Sequence, residues 1–420
     1  MKRLGATFWL VCLLAGIAGG GRIAAGAPAA GEARAEAWGY DAADSTDALQ
    51  AALDSGARRL VISRQAGPWV VSRTLALPSD LELVFEEGAE LKAAPGAFLK
   101  NTDMLLKARR CTNLVLRGRG VVTMLRSEYQ GRPDIYPPGE HRHTLGLFGC
   151  ENVRIEDLTL RESGGDGIYV NGCRDVVIAG VVLDGHHRQG MSVISAENLL
   201  LTNSVIRNTR GTAPQCGIDF EPNGPDERLV NCRVADCRFE NNAHSAVNVS
   251  LGLAGDDVPP VDVVAERCTV RGGQYGFSDM VLARAEPRGA LRQGRFVIRD
   301  CVIEEPQSHA FYFGSHRADC DRVVIERCTV TQTVSRAAPI HFMVRTPAIG
   351  EIGAVEFRDC RIEAPNAGTL LSFITLAPQC RLTDVIGDIR FNGKPVDAAA
   401  FIQAAGFTDY PEMFTADIPL

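Results

Sequence analysis

Lysine is nearly absent from this 420-residue chain: Lys2, Lys92, Lys100, Lys107 and Lys394 are the only five, and arginine supplies the other basic side chains. With a net charge of −7, the chain lacks the basic footprint of a nucleic-acid binder, so no nucleic-acid partner is expected. Genome base composition accounts for an arginine bias cheaply, while arginine forks also suit bidentate contacts to carboxylate or sulfate. Long apolar runs are missing too. Leu4 to Ala18, after Met1-Lys2-Arg3, falls short of the roughly 18 to 20 residues of a membrane span. Small residues follow at Ala24-Ala25-Gly26-Ala27 and Ala33-Arg34-Ala35, which reads as a signal peptide over residues 1–30, cleaved somewhere in 27–35. The expected mature protein has no transmembrane segment and is secreted or periplasmic. No Pro-, Gly- or Ser-rich linker interrupts the remainder, so residues 36–420 read as one domain.

What the chain does have is a repeat. Cys111-Thr-Asn113, Cys150-Glu-Asn152, Cys173-Arg-Asp175 and Ala196-Glu-Asn198 each open an apolar alternation, the last three at an interval of 23, with fainter copies at Cys268, Cys301, Cys328 and Cys360. A period in the twenties built from short β-runs and Asn, Gly and Asp turns signals a solenoid. Almost no helical periodicity is present, so the units are expected to coil into rungs of a parallel β-helix, an all-β fold. Equivalent residues then stack about 4.8 Å apart. Asn113, Asn152, Asp175 and Asn198 form a turn ladder, and the cysteines form an interior ladder of free thiols rather than disulfides. A capped amphipathic helix beginning at Asp44, with Leu49, Ala52 and Leu53 on one face, closes the N-terminal end. A short helix over residues 397–406 closes the other.

Taking one strand per rung sends Ile168, Met191, Ile218, Val247, Phe277 and Phe311 inward. The opposite face then carries Tyr169, Ser192, Asp219, Asn248, Ser278, Tyr312 and His341. Asp166, His143, His186, His187, Arg188, Gln189, His244 and His309 lie beside it. A stripe of this composition along rigid strands suits an extended polar polymer, so the expected partner is a polysaccharide or oligosaccharide, bound by a monomer. Asp219 and Glu221 lie two residues apart on one strand, about 6.5 Å between α-carbons, and Asp166 lies about 9.5 Å away along the axis. Either pairing lies within the roughly 5 to 9.5 Å that separates the two carboxyl groups of glycosidic hydrolysis. Insertions at 122–143, with Tyr129 and Tyr136, and at 252–261 are expected to wall the site. No cysteine–histidine spacing suits zinc, and His186 and His187 are adjacent and point to opposite sides, so no metal is expected.

The entry Tyr40-Asp-Ala-Ala-Asp-Ser-Thr-Asp-Ala-Leu-Gln50, with Val61-Ile62 and Leu83 to Ala89, resembles the N-terminal cap of the pectin-lyase-like superfamily. The stretch from His141 to about Ser250 is similar to bacterial right-handed β-helix repeat proteins within it. The resemblance implies a right-handed parallel β-helix. It leaves activity open among polysaccharide lyases, glycoside hydrolases, uronan epimerases and phage tailspikes. Gly165-Asp166-Gly167-Ile168 resembles the Asp-Gly-Ile element of polygalacturonases, but Arg188-Gln189 stands where those enzymes carry paired aspartates, and their downstream Arg-Ile-Lys element is missing. The first expectation is a cofactor-free hydrolase using two of Asp166, Asp219 and Glu221, with His143, Tyr169, His187, Arg188, Gln189, Asn248, His309 and Tyr312 binding substrate. The second is a lyase or epimerase acting on uronans, with Arg188, His187 and Tyr169 central and Ca²⁺ held by Asp219 and Glu221. The third is a carbohydrate-binding β-helix without catalysis.

Overall fold

The computed structural model describes residues 32–137, 141–255, 257–281, 290–344, 351–375, 380–397 and 414–418. The expected signal peptide lies outside them. Among the described residues no helix is long and apolar enough to cross a membrane.

The rungs turn three corners, and from Asn152 to Asn241 a residue in the left-handed region marks each one. At the first, Asn113, Asn152, Asp175, Asn198 and Asn231 have φ between 51° and 57°. Asn and Asp tolerate this region, whereas most other residues pay about 1–2 kcal/mol. Their side chains also bind along the axis: Asn152 Nδ2 donates to Asn113 Oδ1 (2.8 Å), Asn198 Nδ2 to Asp175 Oδ1 (2.8 Å) and Asn231 Nδ2 to Asn198 Oδ1 (2.9 Å). At the second corner Asp157 is followed one rung on by Gly180, where a Cβ would come within 2.4 Å of the Asp157 carboxylate.

Between corners run short parallel strands in three ladders. Leu145–Phe148 pairs with Leu106–Arg109 on one side and with Ile168–Ala179 on the other. Glu151–Glu156 lies between Thr112–Gly118 and the second half of Ile168–Ala179. Thr159–Arg161 lies between Val121–Thr123 and Val182–Asp184. Stacking in register makes alternation cumulative: Ile168, Met191, Ile218, Val247, Phe277, Phe311 and Ile340 form one buried interior column. Every described cysteine is a buried free thiol, Cys173 stacking on Ala196 as the repeat predicts.

The ends are closed differently from each other. Thr46–Leu53 is the expected helix, with Thr46, Leu49, Ala52 and Leu53 buried and the Asp44 carboxylate accepting the Thr46 N–H at 2.9 Å. At the other end, parallel growth stops in antiparallel pairs, Val385–Phe391 with Lys394–Asp397 and Leu371–Thr375 with Phe414–Ile418. Of the helix expected over 397–406, Asp397 belongs to the strand Lys394–Asp397, and the rest lies outside the described residues.

Candidate functional site

The ladder containing Leu145–Phe148 carries the polar column in continuous register: Tyr169, Ser192, Asp219, Asn248, Ser278, Tyr312, His341 and Ser372. The expected solvent-facing stripe is, however, largely covered. Asp219 and Asp166 are both 0 % exposed, and Ser192, Asn248 and Ser278 are buried beside them. The reason is that the polar residues satisfy one another. Gln189 donates its backbone N–H to Asp166 Oδ1 (3.1 Å) and Nε2 to Asp219 Oδ2 (3.0 Å), while its Oε1 accepts the Cys216 N–H (2.8 Å). Ser192 donates to Asp166 Oδ2 (2.8 Å), and Asn248 Nδ2 to Asp219 Oδ1 (2.8 Å).

Arg188 joins the carboxylates. One guanidinium nitrogen lies 2.9 Å from Glu221 Oε2 and another 3.6 Å from Asp166 Oδ2. Glu221 follows the strand Ile218–Phe220, anchored by its N–H to Val193 O (3.0 Å). With side-chain exposures of 12 % and 18 %, Arg188 and Glu221 form the solvent side of the cluster. Burial, and then the charge of Glu221, push Asp219 up to about 8 against the opposing pull of Asn248 and Arg188. Burial likewise raises Asp166 to about 7, opposed by Arg188. Near neutral pH Asp219 therefore keeps its proton, beside the Arg188–Glu221 pair.

Around this centre the expected contact residues fall into distinct positions. His143 stacks on Tyr169 (4.7 Å, 13°) and accepts the Asp166 N–H at Nδ1 (2.9 Å), which places its proton on Nε2. Burial holds this imidazole well below its usual range, so its 3.4 Å approach to Asp166 Oδ2 is not an ion pair. His187 Nε2 meets Thr212 Oγ1 at 2.9 Å in the adjoining turn. His186 is fully buried, with Nδ1 2.8 Å from Ser163 Oγ, and burial lowers it to about 3; it is a core residue.

Further along the same ladder, Tyr275 stacks on Tyr312 (4.4 Å, 9°) and His309 on His341 (4.3 Å, 8°). With Arg336 and Ser372 they line a cavity of about 580 Å³. Three rungs separate Tyr312 from Asp219, about 14 Å. His309 and Tyr312 thus lie together but apart from the carboxylates. Tyr275 was not singled out by the sequence pattern, although it opens the strand that carries Ser278. The two tyrosines of the 122–143 insertion do not wall a site. Tyr129 and Tyr136 are buried against each other (4.9 Å, edge to face), and both pack on the Arg142 guanidinium. In the other insertion, Leu253–Ala254 forms a small antiparallel pair with Ala290–Leu291.

The family described as "Right handed beta helix region" matches residues 134–279, the segment that carries Asp166 to Ser278. The chain folds as a right-handed parallel β-helix. The SPbeta prophage-derived uncharacterized protein YorA of Bacillus subtilis is 22 % identical over 196 residues, 41 % of this chain and 33 % of that one. This β-helix therefore aligns with about a third of that relative's length. Among solved structures, a hyperthermoactive exopolygalacturonase from Thermotoga maritima superposes with a TM-score of 0.61 at 12 % identity, covering 93 % of this chain and 94 % of the other. The surface protein and adhesin PfbA of Streptococcus pneumoniae superposes with 0.58 at 12 % identity, covering 86 % and 98 %. At such identities the likeness is one of fold, and that fold serves an enzyme in one case and an adhesin in the other.

Proposed function

We propose that this β-helix is an exported, polysaccharide-active enzyme, a glycoside hydrolase whose general acid is Asp219 and whose second carboxylate is Glu221. The observation that carries the reading is the divided state of one cluster: Asp219, raised to about 8, keeps a proton, while Glu221 lies 2.9 Å from Arg188 in a position to act as nucleophile or base. Asp166, 0 % exposed and tied to Ser192 and Gln189, positions Arg188 and the strand ends rather than meeting substrate. A glycosidic oxygen reaches Asp219 once the Arg188–Glu221 pair turns aside, and a sugar carboxylate or hydroxyl that engages Arg188 would draw the pair apart. Tyr275, His309, Tyr312 and His341 then serve as a stacking platform for residues about three rungs from the cleaved bond.

The test is to incubate the purified protein, with and without EDTA, on neutral and uronic polysaccharides, following new reducing ends and the absorbance of unsaturated product. Reducing ends without unsaturation support hydrolysis, and unsaturated product overturns it in favour of a lyase. One observation favours a second reading, a carbohydrate-binding β-helix without catalysis: both aspartates are wholly covered. Saturable binding on the panel with neither product would establish that reading.

The platform carries its own prediction. Tyr312→Ala removes one face of the Tyr275 stack about 14 Å from Asp219. KM on an oligosaccharide long enough to span both sites should rise about tenfold, equivalent to about 1.4 kcal/mol of binding. Little change in kcat is expected, and no change at all on a disaccharide. An equal fall in kcat on both substrates would remove the platform role.

A further inference from the structure

Away from the groove, a second cluster of reactive side chains lies inside the solenoid. Strand Tyr275–Val281 alternates Phe277 and Asp279 inward, and Asp279 stacks in register between Val249 and Phe313, so a carboxylate occupies a column otherwise apolar. The turn that follows strand His309–Gly314 folds His316, Cys320 and Asp321 onto it. All four residues are buried, with His316, Asp279 and Asp321 at 0 % exposure. His316 Nδ1 lies 2.8 Å from Asp279 Oδ1, and Cys320 Sγ lies 3.6 Å from His316 Nδ1 and 3.8 Å from Nε2. Donor atoms of His316, Cys320 and Asp321 all fall within 4.8 Å of one another.

A second, independent observation concerns the oxygens that this packing leaves over. Both Asp321 carboxylate oxygens and Asp279 Oδ2 are buried without a hydrogen-bond partner among the described residues. Buried carboxylate oxygens are ordinarily paired, hydrogen-bonded or bound to metal, and three orphans around one imidazole and one thiol are destabilising unless a cation compensates them.

We propose that His316, Cys320 and Asp321 bind a zinc ion that fastens this turn to the solenoid interior. A thiolate, an imidazole and a carboxylate suit a borderline-soft ion of tetrahedral habit, and the sulfur disfavours calcium or magnesium. Zn–S and Zn–N bonds of about 2.3 Å and about 2.0–2.1 Å give a tetrahedral S···N edge of about 3.6 Å; Cys320 Sγ lies 3.8 Å from Nε2, the ring nitrogen not taken by Asp279. Asp279 takes the supporting role: by accepting the Nδ1 proton it directs Nε2 toward the metal, as carboxylates behind histidine ligands do. Its second oxygen is left to hold a water in the fourth position. Binding sends the Cys320 proton and any proton on His316 Nε2 to solvent, so that a thiolate, a neutral imidazole, a carboxylate and the ion balance to a neutral centre beside the Asp279 carboxylate. No cysteine–histidine spacing in the sequence suits zinc, and no metal is expected from it; in the fold one turn brings His316, Cys320 and Asp321 together, beside an Asp279 that lies 37 residues before His316. This site is independent of the proposed hydrolase reaction, although Tyr312 lies on the strand that leads into the turn.

Metal content of the full chain, purified without chelator from zinc-supplemented culture, should be about one zinc per chain. Replacement by Co²⁺ should give the intense near-ultraviolet thiolate-to-cobalt band along with visible d–d bands of a tetrahedral site. Cys320→Ser should lose the thiolate band, and Asp321→Asn should weaken zinc binding roughly tenfold or more. His316→Gln checks that the other buried thiols are not the source. Substoichiometric zinc with no thiolate band from the wild-type protein would overturn the proposal, as would undiminished zinc affinity in His316→Gln. Should the variants fail to fold, the wild-type cobalt spectrum, together with a rise in Tm on adding zinc to demetallated protein, still decides the matter. Loss of hydrolysis with zinc retained would count against the groove alone.

Discussion

Asp219→Asn should lower kcat by roughly 10²- to 10⁴-fold, the range over which a positioned general acid contributes, while the circular dichroism spectrum stays that of the wild type. Asparagine keeps the shape of the side chain between Gln189 and Asn248 but cannot deliver a proton. In the wild type the acid works only while protonated, so activity should be lost as pH rises through about 8. The same shift bears on stability. Asp219 has a folded value above its unfolded value of about 3.9, so its contribution is fully present below about pH 4 and is lost as pH climbs through about 8. Asp166, raised to about 7, acts in the same direction. Tm should therefore fall between about pH 4 and about pH 8 in the wild type and fall less steeply in Asp219→Asn. Full activity in Asp219→Asn would transfer the acid role to another group and end the mechanism proposed for this cluster.

Arg188→Met should be the most destabilising single change on this face. Arg188 is a mostly buried cation whose charge acts on Asp166, Glu221 and Asp219 together. Removing one partner from such a buried network costs about 3–5 kcal/mol, because the remaining charges stay buried and uncompensated. The loss should be larger at about pH 8 than at about pH 5.5, since Asp166 and Asp219 carry protons at the lower value. Thermal melts at the two pH values check this directly. Arg188 also lowers both aspartates at present, so any residual activity should show its alkaline limb displaced upward. An equal loss of Tm relative to the wild type at both pH values would mean that Arg188 is bound by packing rather than by charge.

The solenoid was legible because its determinants are local and repeated. Asn113, Asn152, Asp175 and Asn198 announce the left-handed corners, and alternation from Ile168 to Phe311 fixes which side chains enter the core. The polar column was legible for the same reason. Its burial was not, because covering Asp219 depends on Gln189 reaching across from the preceding rung and on Asn248 from the following one, contacts 30 and 29 residues apart in sequence. Tyr129 and Tyr136 do not wall a cleft as the sequence suggests, because their partner, Arg142, binds the carbonyls of Phe98 and Leu99, outside the insertion and 44 and 43 residues earlier in the chain. For the interior cluster a signal did exist. Phe277-Ser278-Asp279 puts a carboxylate on the inward phase of a strand, which is unusual enough to prompt a search for its partner.

The cysteine column has a consequence for oxidation chemistry. Cys237, Cys268, Cys301 and Cys328 each precede strands paired in register and Cys360, inside the strand Val355–Glu363, continues the register, so each sulfur sits one rung from the next. Parallel stacking holds their Cβ atoms near the rung spacing of about 4.8 Å, whereas a disulfide draws them to about 3.8 Å. Joining two of them would pinch adjacent rungs together and tilt the strands on either side. The hydrogen-bonded spacing of the backbone thus acts as a built-in protecting group: neighbouring thiols lie one rung apart, yet an oxidant can couple them only by distorting the ladder that holds them.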